Sequence, residues 1–148
     1  MPSIRQRIRS QALVVLANLA TTGARVWPVR EHRPLLADEL PALLVQVDDG
    51  AGLFSGTIGL TQDRTARLVI SALVRQTDDY DDVIEQVWRE VEPALAADRT
   101  LGGAIKQFGA WSLGSKQTEP VGELIVIRQT LQIECLWFAP FGSPDASL

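Results

Sequence analysis

The sequence predicts an α+β fold, in which two helices pack on one face of a mainly antiparallel (mixed) β-sheet with a long C-terminal hairpin. Two segments carry apolar residues at helical spacing, other segments alternate at strand spacing, and the order is helix, strands, helix, strands. The 148 residues favour a single domain. We expect it to span residues 1–138, followed by a flexible tail at 139–148 that is rich in Pro, Gly and Ser.

Each predicted helix has a start signal and a stop signal. Ser3 can cap a first helix over residues 4–19, which β-branched residues and Gly23 then end. The second helix is predicted over residues 80–97, with four acids at its N-terminus, where the helix dipole favours negative charge. Pro93 lies inside this second pattern and predicts a kink or an early end.

The strands before the second helix are predicted from alternation and from turn residues. Residues 25–29 form a candidate edge strand, and residues 43–47 alternate as a strand that ends in an acidic, Gly-rich turn. Two further strands are predicted over residues 55–61 and 64–75. A tight hairpin at Gln62-Asp63 is expected to join them.

The C-terminal third predicts a hairpin with two long arms, residues 104–113 and 123–138, joined by residues 114–122. Gln129 interrupts the apolar face of the second arm and predicts a bulge or bend there. At about 3.3 Å per residue that arm would span roughly 50 Å. We therefore expect it to bend, or part of it to leave the domain body.

Charge and hydropathy exclude several classes of function. The net charge of −4 is untypical of a dedicated nucleic-acid binder, and no apolar run reaches the 18 residues of a transmembrane helix. Residues 1–30 nevertheless contain five arginines and no acid. Such a segment can be a solvated helix face, a basic patch for an acidic partner, or a mitochondrial transit peptide; the solvated face is the simplest interpretation.

Catalytic and metal-binding chemistry has little to build on. His32 is the only histidine and lies in a Pro-flanked loop, and Cys135 is the only cysteine and lies on the apolar side of a strand. We interpret them as a surface loop residue and a buried structural thiol. The glycine pairs lack the Lys and Ser/Thr of a phosphate-binding loop. We therefore predict no enzyme activity, no cofactor and no metal site.

One acidic cluster, residues 78–82, remains open as a cation site because hard cations prefer carboxylate oxygens. Capping of the second helix explains the same residues without a metal. Among the tryptophans, Trp88 and Trp137 have core positions, whereas Trp27 and Trp111 can be core or subunit interface.

Four short segments carry a resemblance that covers residues 3–138. In their order and spacing they are similar to the minor tail proteins of long-tailed bacteriophages, in particular the tail terminator group. The segments are Ser-Ile-Arg-Gln-Arg-Ile at 3–8, Trp-Pro-Val at 27–29, Glu-Leu-Pro-Ala-Leu-Leu-Val at 39–45, and Asp-Arg-Thr-Leu-Gly-Gly at 98–103 before the hairpin.

The resemblance implies an α+β structural protein that acts by assembly. Such a protein forms a ring, usually hexameric, that caps the tail tube, stops its polymerisation and offers a surface to head-completion proteins. Its partners would be other copies of itself, the tail tube protein and a head-completion protein. It would be found in the host bacterial cytoplasm during assembly and then in the virion tail. Membrane and specific nucleic-acid partners are not implied.

Two alternatives remain open. The chain can be another phage neck or tail-completion component such as a head-tail connector, which shares these features. It can also be a small ligand-binding domain or enzyme, which a pocket of convergent polar groups would favour.

The sequence also predicts where subunits touch. Leu53 and Phe54 lie on a Gly-flanked loop, and Trp111 lies in the outer part of the hairpin. We expect Phe54→Asp and a charged substitution at Trp111 each to prevent ring assembly on tail tubes, because burying a carboxylate in an apolar contact is costly. Negative-stain imaging of tubes mixed with each variant measures this, and intact rings with both variants would contradict the assignment.

Overall fold

The computed structural model describes residues 3–28, 39–49 and 61–140, and the α+β prediction is confirmed. The described part contains two helices and six strands. In chain order they are α1 (Ile4–Leu16), β1 (Val26–Pro28), β2 (Ala42–Asp49), β3 (Thr61–Arg75), α2 (Tyr80–Ala97), β4 (Gln107–Leu113), β5 (Gln117–Val121) and β6 (Leu124–Pro140).

Helix α1 begins at the predicted cap and ends earlier than predicted. The Gln6 N–H donates to Ser3 Oγ (3.2 Å) and the Ser3 N–H donates to Gln6 Oε1 (2.8 Å), which is a capping box. The helix ends at Leu16 rather than residue 19. The chain turns there, and the Gly23 N–H donates to the Leu19 carbonyl (2.7 Å) with Gly23 at φ +56°.

Helix α2 has the predicted bounds, and its buried residues lie on one stripe. Pro93 is exposed and does not end the helix, which continues to Ala97. Hydrogen bonds join α1 and the turn after it to α2 and its C-cap. Glu90 accepts from the Thr21 N–H (2.8 Å) and Thr21 Oγ1, and Asp98 accepts from Gln11 Nε2 (3.0 Å). These bonds fix α1 relative to α2.

The sheet is mixed, with the order β1-β2-β3-β6-β4 and with β5 also paired to β6. Only the β1–β2 pair is parallel among the described strands; the others are antiparallel. The predicted edge strand at 25–29 is present as β1, and the predicted strand at 43–47 is present as part of β2.

The predicted hairpin at Gln62-Asp63 is wrong. Strand β3 is continuous, and these two residues occupy ladder positions opposite Ala139 and Phe138 of β6. The turn signal was weak because Gln-Asp lacks the glycine that tight hairpin turns favour, whereas the ladder supplies pairing along all of β3. Most of the strand predicted at 55–61 lies outside the described residues.

The C-terminal hairpin is present, but its turn is at Gly122-Glu123 rather than across residues 114–122. Strand β5 occupies the segment that was predicted as a loop, and Gly122 has φ +61°. Strands β4 and β5 follow one another along the same side of β6 and together form its outer arm. That arm begins at Gln107, three residues after the predicted start at 104.

The irregularities of this hairpin lie in the outer arm and not at Gln129, where a bulge or bend was predicted. Strand β6 keeps its register with β3 across Gln129, which pairs with Ala72. The register of the outer arm shifts between Phe108 and Trp111. The outer arm has a second extra residue between β4 and β5. Leu113 pairs with Leu131 and Gln117 pairs with Arg128, so the outer arm uses one residue more than β6 over this stretch. Strand β6 pairs with β3 from Val126 to Pro140, so this part of β6 does not leave the sheet.

Both helices pack on one face of the sheet, as predicted. The register aligns the buried even-numbered residues of β3 with the odd-numbered ones of β2 and β6, and these form one core with the buried stripes of α1 and α2. The opposite face is polar along its middle, where Ser71 Oγ lies 3.1 Å from Thr130 Oγ1. It is nevertheless partly covered, since Leu73 and Val126 are buried.

Removing core volume tests this packing. Leu68 is fully buried at the centre of the core, so Leu68→Ala is expected to lower the free energy of unfolding by about 2–5 kcal/mol. Leu113→Ala is the matched control, because Leu113 is 46% exposed and its truncation leaves no closed cavity. Urea denaturation measures both, and equal losses would contradict the assignment of the core.

Candidate functional site at the sheet edge

The outer arm of the hairpin leaves apolar side chains exposed at one edge of the sheet. Phe108, Trp111 and Leu113 pair with Cys135, Ile133 and Leu131, which belong to the core, so all three lie on the helix-bearing side. Trp111 is 38% exposed and Leu113 46% exposed. We call these three β4 residues the edge strip.

The bulge in β4 creates the edge strip. In a regular strand Phe108 and Trp111 would lie on opposite faces, because side chains alternate. The register shift between them returns both to the same face. Their rings then meet edge to face, with centroids 5.6 Å apart and an interplanar angle of 81°.

A groove of about 420 Å³ separates helix α2 from the outer arm. Leu113 forms part of the outer wall, and Trp88 and Gln129 lie at its base. We call it the edge groove; the residues that line it are Glu85, Trp88, Arg89, Glu92, Leu113, Lys116 and Gln129.

Gln129 holds the edge groove together. Its Oε1 accepts from Trp88 Nε1 (2.9 Å), and its Nε2 donates to the Gly114 carbonyl (2.8 Å). One side chain therefore joins β6 to α2 and to the segment between β4 and β5. The polar residue that interrupted the predicted apolar pattern is buried because both ends of its amide are satisfied.

The helix wall of the groove is acidic on balance. Lys116 Nζ lies 2.5 Å from Asp81 Oδ1, and this hydrogen bond raises the pKa of Lys116. The charge of Lys116 is therefore compensated by Asp81. On the α2 side of the groove Arg89 lies between Glu85 and Glu92, so this wall has two negative charges and one positive charge.

The acidic cluster at 78–82 does not form a metal centre in the described part of the chain, where no group of three or more His, Cys, Asp or Glu side chains is placed to hold an ion. Asp79 is the N-cap of α2 but makes no capping hydrogen bond, contrary to the expected side-chain cap. Its carboxylate accepts instead from Thr77 Oγ1 (2.6 Å). Asp81 and Asp82 lie in the first turn, as the dipole argument predicts.

Cys135 is a buried thiol, as predicted. Burial raises its pKa to about 12, against an ordinary value of 9.0, so the thiolate that a nucleophile needs is scarce at neutral pH. Trp88 and Trp137 are likewise buried, as predicted, and Trp27 is half-buried on β1. Leu53, Phe54 and His32 lie outside the described residues, so of the predicted contact residues the structure places Trp111 alone.

Sequence reasoning anticipated the exposure of Trp111 but missed four other exposed apolar residues. Val14 is exposed on α1 (65%), Leu113 at the end of β4 (46%), Ile125 at the start of β6 (49%) and Phe138 near its end (40%). Val14 lies off the buried stripe of α1, and that periodicity was a usable signal. Ile125 has the core parity of β6, and only its position at the end of the strand leaves it uncovered.

No helix in the described ranges is both long and apolar enough to cross a membrane. No family model matches the chain. No curated protein matches it either.

One similar solved structure is described as the virion of a native gene transfer agent (GTA) particle. The chain in it is 17% identical to this one, the match covers 90% of each chain, and the TM-score is 0.43. At this identity and TM-score the similarity carries no argument about what this chain does.

The role of Gln129 can be measured as stability. Gln129→Ala leaves Trp88 Nε1 and the Gly114 carbonyl without their partner, so we expect it to lower the free energy of unfolding by about 1–3 kcal/mol. Gln132→Ala on the same strand is the control, because Gln132 is exposed and its loss should cost less than about 0.5 kcal/mol. Urea denaturation compares the two, and indistinguishable midpoints would contradict the assigned role.

Proposed function

We propose that this chain is a structural protein of a phage-like virion and, more specifically, a tail terminator. In this role it forms a ring, hexameric as the resemblance implies, that caps the tail tube, stops its polymerisation and provides the head-joining surface. The observation that carries the proposal is the ordered set of four motifs across residues 3–138.

The positions of these motifs in the fold support the proposal. The first motif begins α1 with its capping box, the second contributes β1, the third runs into β2, and the fourth follows α2. Each motif therefore lies at the start or end of an element, where local sequence controls the geometry. A long antiparallel hairpin follows, as the resemblance implies.

The surfaces support a protein that works by assembly. Trp111 and Leu113 of the edge strip expose apolar surface at one end of the strand order, and α1 packs near the other end, over β1 and β2. Two unlike surfaces at opposite ends suit head-to-tail contacts, which close into rings when the rotation between subunits allows it. We further propose that the protein is not an enzyme; burial of the Cys135 thiol makes this one residue a poor candidate nucleophile.

The proposed partners are other copies of this chain, the tail tube protein and a head-completion protein, met in the host bacterial cytoplasm and retained in the virion tail. The same two surfaces also suit another ring-forming component of the neck, such as a head-tail connector. The two roles differ in the particles that form without the protein.

Deleting the gene from its phage or prophage separates these roles. Without a terminator nothing stops tube growth, so we expect overlong tails that carry no heads. Electron microscopy of the lysate measures tail length and head attachment.

Expression of the intact gene from a plasmid is the control and should restore normal tails and infectious particles. Tails of normal length without heads would indicate the other neck role. Normal, infectious particles without the gene would overturn both assignments.

A further inference from the structure

We propose that a small polar pocket, on the face of the sheet opposite to the two helices, binds a phosphate group, either as the free ion or on a phosphomonoester. This inference goes beyond the proposed function and does not depend on it. It rests on hydrogen-bond donors that the described part of the chain leaves without acceptors.

The pocket forms where the outer arm passes from β4 to β5. Paired positions along β6 break off between Leu113 and Gln117, where the arm has its extra residue. The space there has a volume of about 300 Å³. We call it the polar pocket; the side chains that line it are Ser112, Ser115, Gln117, Arg128, Thr130 and Gln132.

The lining of the polar pocket comes from the face that carries no helix in the described ranges. Ser112 pairs with Gln132 and Gln117 pairs with Arg128, and these positions of β6 alternate with its core residues. The described lining residues supply three hydroxyls, two amides and one guanidinium, and no carboxylate or apolar side chain. Such a lining suits a small, strongly polar ligand and not the apolar ligands that most pockets hold.

Arg128 is the charged group among the described lining residues. Its Nε lies 3.2 Å from Glu119 Oε1, but the pair is not aligned for a hydrogen bond, and Nε is buried without a partner. The terminal nitrogens of Arg128 make no hydrogen bond within the described ranges either. A guanidinium presents its donors in a planar fork that matches phosphate oxygens. Arg128 can therefore give a phosphate its charge-assisted hydrogen bonds.

Bonds across the sheet fix the polarity of two further lining groups. Arg67 Nη1 donates to Gln132 Oε1 (3.3 Å), and because a guanidinium has no acceptor, the oxygen of this amide must face Arg67. Gln132 Nε2 is thus left as a donor at the pocket. Thr130 Oγ1 lies 3.1 Å from Ser71 Oγ, which holds that hydroxyl in place. The polar pocket therefore offers mainly donors, which are the complement of an oxyanion.

Phosphate fits this lining better than a carboxylate does. Donors reach the polar pocket from the outer arm on one side and from β6 on the other. Phosphate oxygens point to the corners of a tetrahedron and can meet both sets, whereas carboxylate oxygens lie in one plane. At about 30 Å³ per water, the pocket holds the volume of about ten waters. This leaves room for the rest of a phosphomonoester.

Glu119 competes with such a ligand for Arg128. Its carboxylate offsets part of the guanidinium charge, but it does not belong to the described lining of the polar pocket. The two side chains are 37% and 38% exposed, and ion pairs at such exposure are weak. Removal of the Glu119 carboxylate should therefore strengthen phosphate binding, which a purely structural Arg128 would not predict.

Titration of the full-length, isotope-labelled protein with potassium phosphate tests the proposal by two-dimensional NMR at constant ionic strength. We expect saturable shifts of the backbone amides of Ser112, Ser115 and Gln117 and of the Gln132 side-chain amide. One charged group and a few hydrogen bonds predict a Kd on the order of 1 mM. Potassium acetate should bind about tenfold more weakly, because it forms fewer of these bonds. Phosphate shifts that do not saturate, or equal affinity for acetate, would overturn the inference.

Substitutions locate the binding. Arg128→Gln removes the charge and keeps a polar side chain, so it should weaken phosphate binding about tenfold. Arg75→Gln is the matched control and should change nothing, because Arg75 is exposed on the same face but outside the described lining. Glu119→Gln should tighten binding about threefold. Equal affinities of the Arg128→Gln and Arg75→Gln proteins would reject Arg128 as the anion-binding group and with it the proposed site.

Ser115→Glu provides a test that leaves Arg128 in place. Ser115 is exposed between β4 and β5, so this variant is expected to fold. Its carboxylate should occupy the donors of the polar pocket and abolish phosphate binding, and unchanged binding would overturn the site.

Glycerol phosphate separates the two sources of the phosphate group. Affinity equal to that of inorganic phosphate supports a phosphomonoester, whereas weaker binding supports the free ion. All these titrations are independent of the gene deletion, so failure of the site and failure of the proposed function are distinguishable.

Discussion

The antiparallel ladder between β3 and β6 is the interaction on which the rest of the structure depends. It pairs every residue of β3, from Thr61 opposite Pro140 to Arg75 opposite Val126, without a break. Because side chains alternate, this single register decides which residues of both strands face the helices, and a shift by one residue would turn the core face to solvent. The packing of α1 and α2 therefore depends on it.

The edge of β6 that does not pair with β3 determines where the candidate interaction surface lies. This edge pairs with β4 along one part and with β5 along the other. Gln129 lies at the boundary, where its amide bonds both to Trp88 and to the Gly114 carbonyl. The outer arm must adjust to a strand that is already held in register by β3, and it does so through its own bulges. These bulges leave Trp111 and Leu113 exposed beside α2.

Elements whose sequence signals lie within the element itself were predicted correctly. Helix α2 was predicted with its observed bounds, because its apolar stripe and its acidic N-terminus agree. The errors came from local signals that longer pairing overrode. Gln62-Asp63 and residues 114–122 have turn-like composition, yet both occur where a neighbouring strand supplies hydrogen bonds. Trp111 was predicted as a contact residue and is exposed, whereas Leu53 and Phe54 remain predictions outside the described residues.

The sequence by itself determined the fold class, the two amphipathic helices, the buried nature of Cys135 and the contrast between a basic first segment and an acidic second helix. These properties depend on periodicity and composition, which are local. Only the tertiary structure decided that Gln129 is a buried junction and that Trp111 and Leu113 of β4 form an exposed edge beside the edge groove. Strand order and register join residues distant in the chain, and no local pattern encodes them.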